Sequence, residues 1–463
     1  MPKTAAPRAA APRSRGPRPE PVPEQSSAPV SLRTRPRPGR LGPLRLPQLV
    51  LVEIAAALVL IGLAADRIAL IACVVVAVPL LAAALPHHNG LSVGEQLRAR
   101  GAMRARRLRS AAHPVDPQTD PALVPVLECE PALRVAQHTL EAEGRSSDRA
   151  SARASARASA RGERREIGML GDGTFLSAVI QVESADSPLR PARGNGVLPL
   201  DLLADGLVVD DIVLDAVQAV QYTQPAPAPH LPEQSLAVRG HRELPRGAAT
   251  PALRLSWVTV RLDPELCRGA VAARGGGESG ARKALQRAAD QLASRLTGAG
   301  LRATVLDAAG AAAAVATATC ANPLAAGGAA RPGRRTSETV RAWRCDDRWH
   351  TTYGISQWPR LAPEPTGGPG GTAVTAVTAP ELVARLTGGG VLATTYSLTV
   401  RQLSGGAVSL TGMIRITTRS EHELEQAAGE LEARAADAGA TLQRLEREQT
   451  PGLLATLPLG GTR

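Results

Sequence analysis

A short polar segment at residues 344–350 (RCDDRWH) contains the side chains that most resemble metal ligands. They are Cys345, Asp346, Asp347 and His350. Thiolate, carboxylate and imidazole groups are the donors that zinc takes in proteins. A zinc site usually combines two such clusters, and the chain has no second Cys/His pair to complete this one. The sequence therefore favours a turn between two strands, and we assign no metal ligand.

The glycine-rich segment 275–283 (GGGESGARK) has the outline of a phosphate-binding loop, because it precedes a predicted helix. A true phosphate loop places Gly-Lys directly before Ser or Thr, so that the lysine and the hydroxyl reach the phosphates and the metal. Here Arg282 precedes Lys283, and Ala284 follows it. The pattern indicates a flexible loop at a helix start, and we expect no nucleotide cofactor.

No catalytic signature such as G-x-S-x-G or H-E-x-x-H occurs in the chain. We therefore expect no catalytic residue, no cofactor and no small-molecule substrate, and interpret the protein as one that is not an enzyme. The five cysteines are odd in number and none is arranged as C-x-x-C, which argues against a disulfide framework. The alternative is a membrane-tethered enzyme with an α/β domain, similar to a nucleotide-sugar transferase. A deep cleft with converging Asp, Glu or His would favour it.

Two apolar stretches near the N-terminus, at 46–65 and 68–85, are separated only by Asp66 and Arg67. An uncharged helical run of about 18 or more residues matches the hydrocarbon core of a bilayer. The pattern predicts a two-helix transmembrane hairpin over 46–88. Glu53 lies inside the first stretch, where a carboxylate is usually paired, functional or turned toward the interface. The pair His87-His88 would lie where the chain leaves the membrane.

Basic residues flank both sides of this predicted hairpin. Residues 1–45 carry ten Lys and Arg against two Glu, and residues 91–110 carry six Arg against one Glu. Flanks of this kind stay in the cytoplasm, so we expect a two-pass protein of the plasma membrane with both termini cytoplasmic. The flanks would attract anionic membrane lipids. They account for the net charge of +12, so the remaining chain is nearly neutral and we expect no nucleic acid partner.

Composition divides the chain into four parts. Residues 1–45 are expected to be a disordered basic tail and 46–88 the transmembrane hairpin. Residues 89–165 are expected to be a basic juxtamembrane segment and a low-complexity linker, with the repeat SARASARASAR at 151–161. Residues 166–463 are expected to form a cytoplasmic mixed α/β domain.

Within that domain, hydrophobic periodicity predicts two strand–helix–strand units that suggest a duplication. In the first unit a strand at 254–262 precedes a helix at 281–297, capped by Ser279, and a strand at 302–307. In the second, Ser420 and Glu423 form a capping box for a helix that ends near Ala438. The other elements predicted are strands at 174–183, 340–345, 349–356, 391–402, 407–417 and 441–445, a strand or short helix at 211–222, and a helix at 379–387.

Several segments give the chain a family resemblance. They are LADGLVVDDI (203–212), YTQPAPAPHLPEQS (222–235), ATCANP (318–323), RCDDRWHTTYGISQWP (344–359) and TPGLLATLPLGG (450–461). In these segments, and in its overall organisation, the chain resembles the EccE family, a membrane component of the type VII (ESX) secretion system. The resemblance transfers no active site.

The resemblance implies a structural and assembly subunit that docks to the other ESX membrane core subunits. These include an FtsK-like ATPase, which would hydrolyse ATP in place of this chain. A further alternative is a membrane-anchored regulator that binds soluble partners through the proline-rich segment 223–232.

Overall fold

The computed structural model describes residues 32–34, 40–41, 44–64, 66–84, 93–116, 119–139, 166–184, 198–227, 234–242, 253–322, 325, 333–361, 377–403 and 408–461. Several predictions concern residues outside these ranges. They are the disordered tail over 1–31, the interfacial pair at 87–88, the repeat at 151–161 and the centre of the proline-rich segment at 228–233.

Twelve helices occur in the described residues. They are α1 (Leu46–Ala64), α2 (Arg67–Ala84), α3 (Val93–Ala112), α4 (Val124–Cys129), α5 (Leu200–Asp205), α6 (Leu236–Arg242), α7 (Arg268–Ala273), α8 (Gly277–Gly298), α9 (Ala308–Thr319), α10 (Ala379–Thr387), α11 (Glu421–Asp437) and α12 (Gln449–Thr456).

The described strands number seventeen. They are β1 (Leu32–Thr34), β2 (Arg40–Leu41), β3 (Leu44–Arg45), β4 (Arg134–Thr139), β5 (Glu166–Gly171), β6 (Leu176–Ser184), β7 (Val208–Val209), β8 (Ile212–Val213), β9 (Ala216–Gln224), β10 (Leu253–Leu262), β11 (Leu301–Val305), β12 (Thr336–Glu338), β13 (Trp343–Cys345), β14 (Arg348–Gln357), β15 (Ala393–Gln402), β16 (Val408–Thr418) and β17 (Thr441–Arg444).

Thirteen strands form one large sheet that contains the same topology twice. In the first half, β6, α5, β9, β10, α8 and β11 follow one another, and the strands lie side by side in the order β11, β6, β10, β9. In the second half, β14, α10, β15, β16, α11 and β17 repeat this arrangement with the order β17, β14, β16, β15. Both halves therefore have the ferredoxin-like βαββαβ topology.

The two halves join through antiparallel pairing of β9 with β15, in which Val220 lies opposite Ser397. The repetition extends beyond the ferredoxin-like units. Each half begins with a short antiparallel pair, β4–β5 or β12–β13, beside its first long strand, and each ends with a helix, α9 or α12. The duplication suggested by the sequence thus includes six strands and three helices per half where the structure is described, counting neither β1–β3 nor the β7–β8 hairpin.

Helices cover both faces of the sheet. On one face, α7 and α8 pack over the first half around Val258 and Leu285, and α10 and α11 pack over the second half around Ile414 and Leu424. The apolar residues of α8 recur every three or four positions, which directs one helix face into this core. On the opposite face, α4, α9 and α12 cover a layer of mixed polarity.

The prediction of a transmembrane hairpin at 46–88 is wrong for the described residues. None of the helices placed there combines the length and the apolarity needed to cross a membrane. Helix α1 has 19 residues and includes Glu53, while α2 has 18 and begins with the charged Arg67. The helices that the structure describes therefore do not support the expected two-pass topology.

The mixed α/β character of the domain agrees with the prediction. Helices α9 and α12 and strands β4 and β5 were not predicted, and other differences lie at element boundaries. Helix α8 begins four residues earlier than expected, with Gly276 as its N-cap, so the expected cap at Ser279 is wrong. The cap at Ser420 is present, because its hydroxyl accepts a hydrogen bond from the Glu423 amide. Strand β4 pairs with β5 and so extends the sheet into residues 134–139, where the sequence has no clear hydrophobic periodicity.

The C-terminal segment 457–461 ties the second half of the chain to the first. Ser177 of β6 donates a hydrogen bond to the Leu459 carbonyl, and the Gly460 amide donates to Gln218 Oε1 of β9. Gly460 has φ of +89°, and a Cβ atom there would lie 2.5 Å from Arg261 Cβ. Only glycine therefore fits this close approach without strain.

We expect Gly460→Ala to lower the free energy of unfolding by about 2 kcal/mol, since a methyl group adds both backbone strain and a clash. Urea denaturation monitored by circular dichroism measures this change. The control is Gly429→Ala on the exposed face of α11, where nothing lies within 4 Å of the added Cβ. That substitution should stabilise the protein by about 0.5–1 kcal/mol. Equal effects of the two substitutions would contradict the proposed constraint.

Candidate functional site

Four of the five segments that carry the family resemblance meet on the polar face of the sheet. The end of β9 brings Tyr222, the end of α9 brings Cys320, β14 brings His350 and α12 brings Ala455. The fifth segment, 203–212, lies on the other face and packs against α8 through Leu203 and Leu207. Segments distant in sequence are thus adjacent in the fold.

At the centre of this face lies Arg415 of β16, a fully buried cation without a carboxylate partner among the described residues. Its guanidinium donates to the carbonyls of Ala318 and Thr319, the last turn of α9, and to the hydroxyl of Thr395. The negative end of a helix dipole stabilises a cation there. Burial lowers the pKa of Arg415 to about 10, so the group stays charged at neutral pH.

His350 lies against this guanidinium and is buried completely. Its Nδ1 accepts hydrogen bonds from Thr417 Oγ1 at 2.9 Å and from Arg415 at 3.4 Å, which assigns the ring proton to Nε2. Burial, followed by the positive charges of Arg415 and Arg348, lowers the pKa of His350 well below its usual value. The ring also packs on Trp343, with centroids 4.8 Å apart. This neutral imidazole is a packing group and hydrogen-bond acceptor.

Tyr222 and Cys320 complete the cluster. The tyrosine hydroxyl donates to Cys320 Sγ at 3.4 Å and accepts from Gln224 at 2.8 Å. Burial raises the pKa of the phenol. Cys320 occupies the C-cap of α9 with φ of +55°, which turns the chain at the point where Arg415 binds the helix end. The resulting cluster joins α9 of the first half to three strands of the second half.

Beside this centre, a second set of hydrogen bonds fastens the junction of β9 and β15. Gln218 donates to Ser397 Oγ and to the Ala455 carbonyl, both at 2.8 Å. Gln449 accepts from the Thr352 amide at 2.8 Å. All of these side chains are inaccessible to solvent. Because each buried amide has its partners, the arrangement holds one geometry and leaves little freedom for chemistry.

The turn predicted at 344–350 connects β13 to β14, as expected for a surface turn. Asp346 forms an ion pair with Arg335 at 2.7 Å, and His350 points to the Arg415 centre. No group of three or more His, Cys, Asp or Glu side chains with metal-binding geometry occurs in the part of the chain that the structure describes. Asp346 thus belongs to an ion pair near the surface, whereas His350 belongs to the buried cluster around Arg415.

The glycine-rich loop borders a surface cavity of about 640 Å³ at the start of α8. Gly275, Gly276 and Gly277 all have positive φ, so they form a turn that other residues would adopt only with strain. The charged residues at the cavity are Glu265, Arg268 and Glu278, and Arg268 pairs with Glu265. Two carboxylates against one arginine do not suit a phosphate, in keeping with the flexible-loop interpretation.

The basic segment expected at 91–110 forms helix α3, which is fastened to the edge of the sheet. Arg106 binds the carboxylate of the buried Glu338 at 3.1 Å, and Arg107 donates to the Glu338 carbonyl at 2.6 Å. The same carboxylate accepts from the Thr450 amide in the first turn of α12. Sequence analysis missed this function of Glu338, because the spacing of 232 residues gives no local signal.

A second buried carboxylate, that of Glu128, binds β12. Glu128 of α4 is buried and accepts hydrogen bonds from the amides of Arg335 and Thr336 and from the Thr336 hydroxyl. Glu128 therefore binds this three-residue strand to α4, while Glu338 within the strand binds α3 and α12. Charge-assisted bonds of this kind are stronger than neutral ones.

Helices α1 and α2 pack closely on each other and leave large apolar side chains exposed. A Cβ on Gly62 would lie 3.0 Å from Cys73, so the helices approach closely at this point. The exposed fractions reach 83% at Ile68 and 67% at Leu60. Exposed apolar patches of this extent mark surfaces that bind something else. The five cysteines, Cys73 included, are free.

These features define a double-repeat α/β domain with a closed, hydrogen-bonded interior, to which a pair of apolar helices is attached. Residues 250–355, from β10 to β14, match the family model described as "Putative type VII ESX secretion system translocon, EccE". The match confirms the resemblance to EccE over this segment.

The family description names a component of a type VII secretion translocon and mentions no enzymatic activity. No curated protein matches the chain.

We expect Arg415→Met to lower the free energy of unfolding by about 3 kcal/mol, because the last carbonyls of α9 lose their buried donor. Chemical denaturation provides the measurement. The matched control is Arg302→Met on β11, whose side chain is 62% exposed, with an expected change within about 0.5 kcal/mol. If the two variants were equally stable, the buried arginine would not hold the two halves together.

The lowered pKa of His350 predicts acid sensitivity. The unfolded histidine takes up a proton below about pH 6.5 while the folded one does not. Stability should therefore be complete above pH 6.5 and fall on acidification, with a contribution of up to about 1.4 kcal/mol per pH unit. In His350→Asn, whose side-chain oxygen can accept at the Nδ1 position, this contribution should disappear from the pH profile. NMR titration of the wild-type ring with a pKa near 6.5 would contradict the prediction.

Proposed function

We propose that this protein is a structural and assembly subunit of the ESX membrane complex, which docks to the other core subunits. The observation that carries the proposal is the exposed apolar surface of α1 and α2, joined to a helix that is fixed on the sheet domain. The family match over residues 250–355 supports the same class of function.

The apolar helix pair requires a covering partner for a thermodynamic reason. Apolar surface removed from water contributes about 25 cal/mol per Å², and α1 and α2 leave many large side chains unused. Those most exposed are Leu60, Ile61, Leu63, Ile68, Ile71 and Val75. We infer that apolar surfaces of other subunits in the complex cover them.

Helix α3 determines how the domain is oriented relative to that contact. Its link to the sheet uses Arg106 and Arg107 on Glu338, so the helix is held at two adjacent positions instead of swinging freely. A subunit of this construction can set a fixed distance and angle between partners. Such a role requires a rigid domain and a surface that binds partners. It requires no catalytic group.

We further propose that the proteins bound include the FtsK-like ATPase implied by the family resemblance. The exposed arginines of α3 would contact anionic membrane lipids, each attracted by about 1 kcal/mol. They are Arg98, Arg100, Arg104 and Arg109.

We expect the double variant Leu60→Gln and Ile71→Gln to reduce recovery of the other ESX core components at least tenfold. A tagged protein purified in mild detergent from cells that express the whole system allows the measurement. The contact would bury Leu60 and Ile71, so an amide in place of each would remove several kcal/mol from it.

The control for this experiment is Leu236→Gln on α6, which replaces a side chain that is 82% exposed but lies outside the helix pair. It should leave recovery unchanged. The assembly role would be refuted by a wild-type protein that purifies alone, and the docking surface by a double variant that retains its partners.

A further inference from the structure

A cleft between α3 and β12 combines cationic and hydroxyl side chains around a small volume. The cavity has about 230 Å³. Its cationic residues are Arg106 and Arg107 from α3 and Arg334, which precedes β12. The lining also contains Ser110, Thr336, Ser337, Cys129, Trp343, Thr450 and Glu338.

Carboxylates offset only part of this positive charge. Glu338 binds Arg106, and Glu128 lies 3.9 Å from Arg334. Arg107 has no carboxylate partner among the described residues, because its one hydrogen bond goes to a backbone carbonyl. The cleft therefore contains one guanidinium whose charge is unmatched within the described chain.

The three guanidinium groups also keep unused donors. Each has five N–H bonds in a planar fork. Within the described residues Arg107 uses only Nη2, and Arg334 uses Nη2 for the Glu128 carbonyl and the Thr336 hydroxyl. Ser110 and Ser337 also line the cleft. Donors that converge from two elements suit a tetrahedral oxyanion better than a planar carboxylate.

We propose that this cleft binds a phosphate group, either as the free ion or as the phosphomonoester headgroup of a lipid. Arginine forks bind phosphate oxygens through paired charge-assisted hydrogen bonds. Arg107 supplies the unmatched charge, Arg334 binds from the β12 side, and Trp343 forms an apolar wall. Occupancy would add a bridge between α3 and β12. The site does not depend on the assembly role.

Titration of the full-length protein in detergent with inorganic phosphate, followed by calorimetry, tests the site. We expect saturable binding that weakens about tenfold in Arg107→Gln and recovers in part in Arg107→Lys. The control is Arg302→Gln, which removes an exposed arginine of β11 outside the cleft and should leave affinity unchanged. Arg334→Gln, which alters no contact between α3 and the sheet, should weaken binding as well.

Vesicles distinguish the two sources of the phosphate. Phosphatidylcholine vesicles with phosphatidic acid are compared with vesicles of equal charge that contain phosphatidylglycerol, a phosphodiester. A preference for phosphatidic acid that Arg107→Gln abolishes supports a lipid headgroup, and binding of inorganic phosphate without that preference supports the free ion. The proposal is overturned if phosphate does not bind saturably, or if Arg302→Gln weakens phosphate binding as much as Arg107→Gln.

Discussion

The antiparallel pairing of β9 with β15 is the constraint on which the rest of the structure depends. A single ferredoxin-like unit would leave an open edge at β9 or at β15, with unpaired backbone donors and acceptors. Joining these edges satisfies both rows of backbone groups and produces one continuous sheet from two repeats. The shared sheet then offers a second face wide enough to be covered by helices from both halves.

That second face is polar because its helices end on it. A helix terminus leaves carbonyl groups without intrahelical partners, and buried carbonyls need donors. Arg415 supplies them for α9, while Gln218 and Ser397 donate to the Ala455 carbonyl in α12. Burying a guanidinium is costly, and the alignment with a helix dipole and three oxygen acceptors offsets the desolvation. The polar layer thereby fixes the register between the halves more specifically than apolar packing alone.

The sequence predicted elements well where a local rule governs them. The Ser420 cap, the helix at 379–387 and the alternating strand at 254–262 depend on neighbours within a few residues, and the structure places all three within one residue of expectation. The polar centre could not be found in this way. His350 appeared with Cys345 and two aspartates as a possible ligand set, yet strand alternation and a positive φ at Asp346 send these side chains to different neighbours.

The error at the N-terminus has a related origin. Hydropathy reports how apolar a segment is, but it does not report the helix that the segment forms. Among the described residues no helix combines the length and the apolarity needed to cross a membrane. The basic segment after helices α1 and α2 shows a second limit of prediction from composition. Its arginines suggested a membrane surface, whereas Arg106 and Arg107 bind a buried glutamate more than 230 residues away in sequence. The arginines of one helix thus differ by position, since those facing β12 bind the sheet domain while those on the outer face are exposed. A composition count cannot make that distinction, because it depends on which face of the helix the sheet covers.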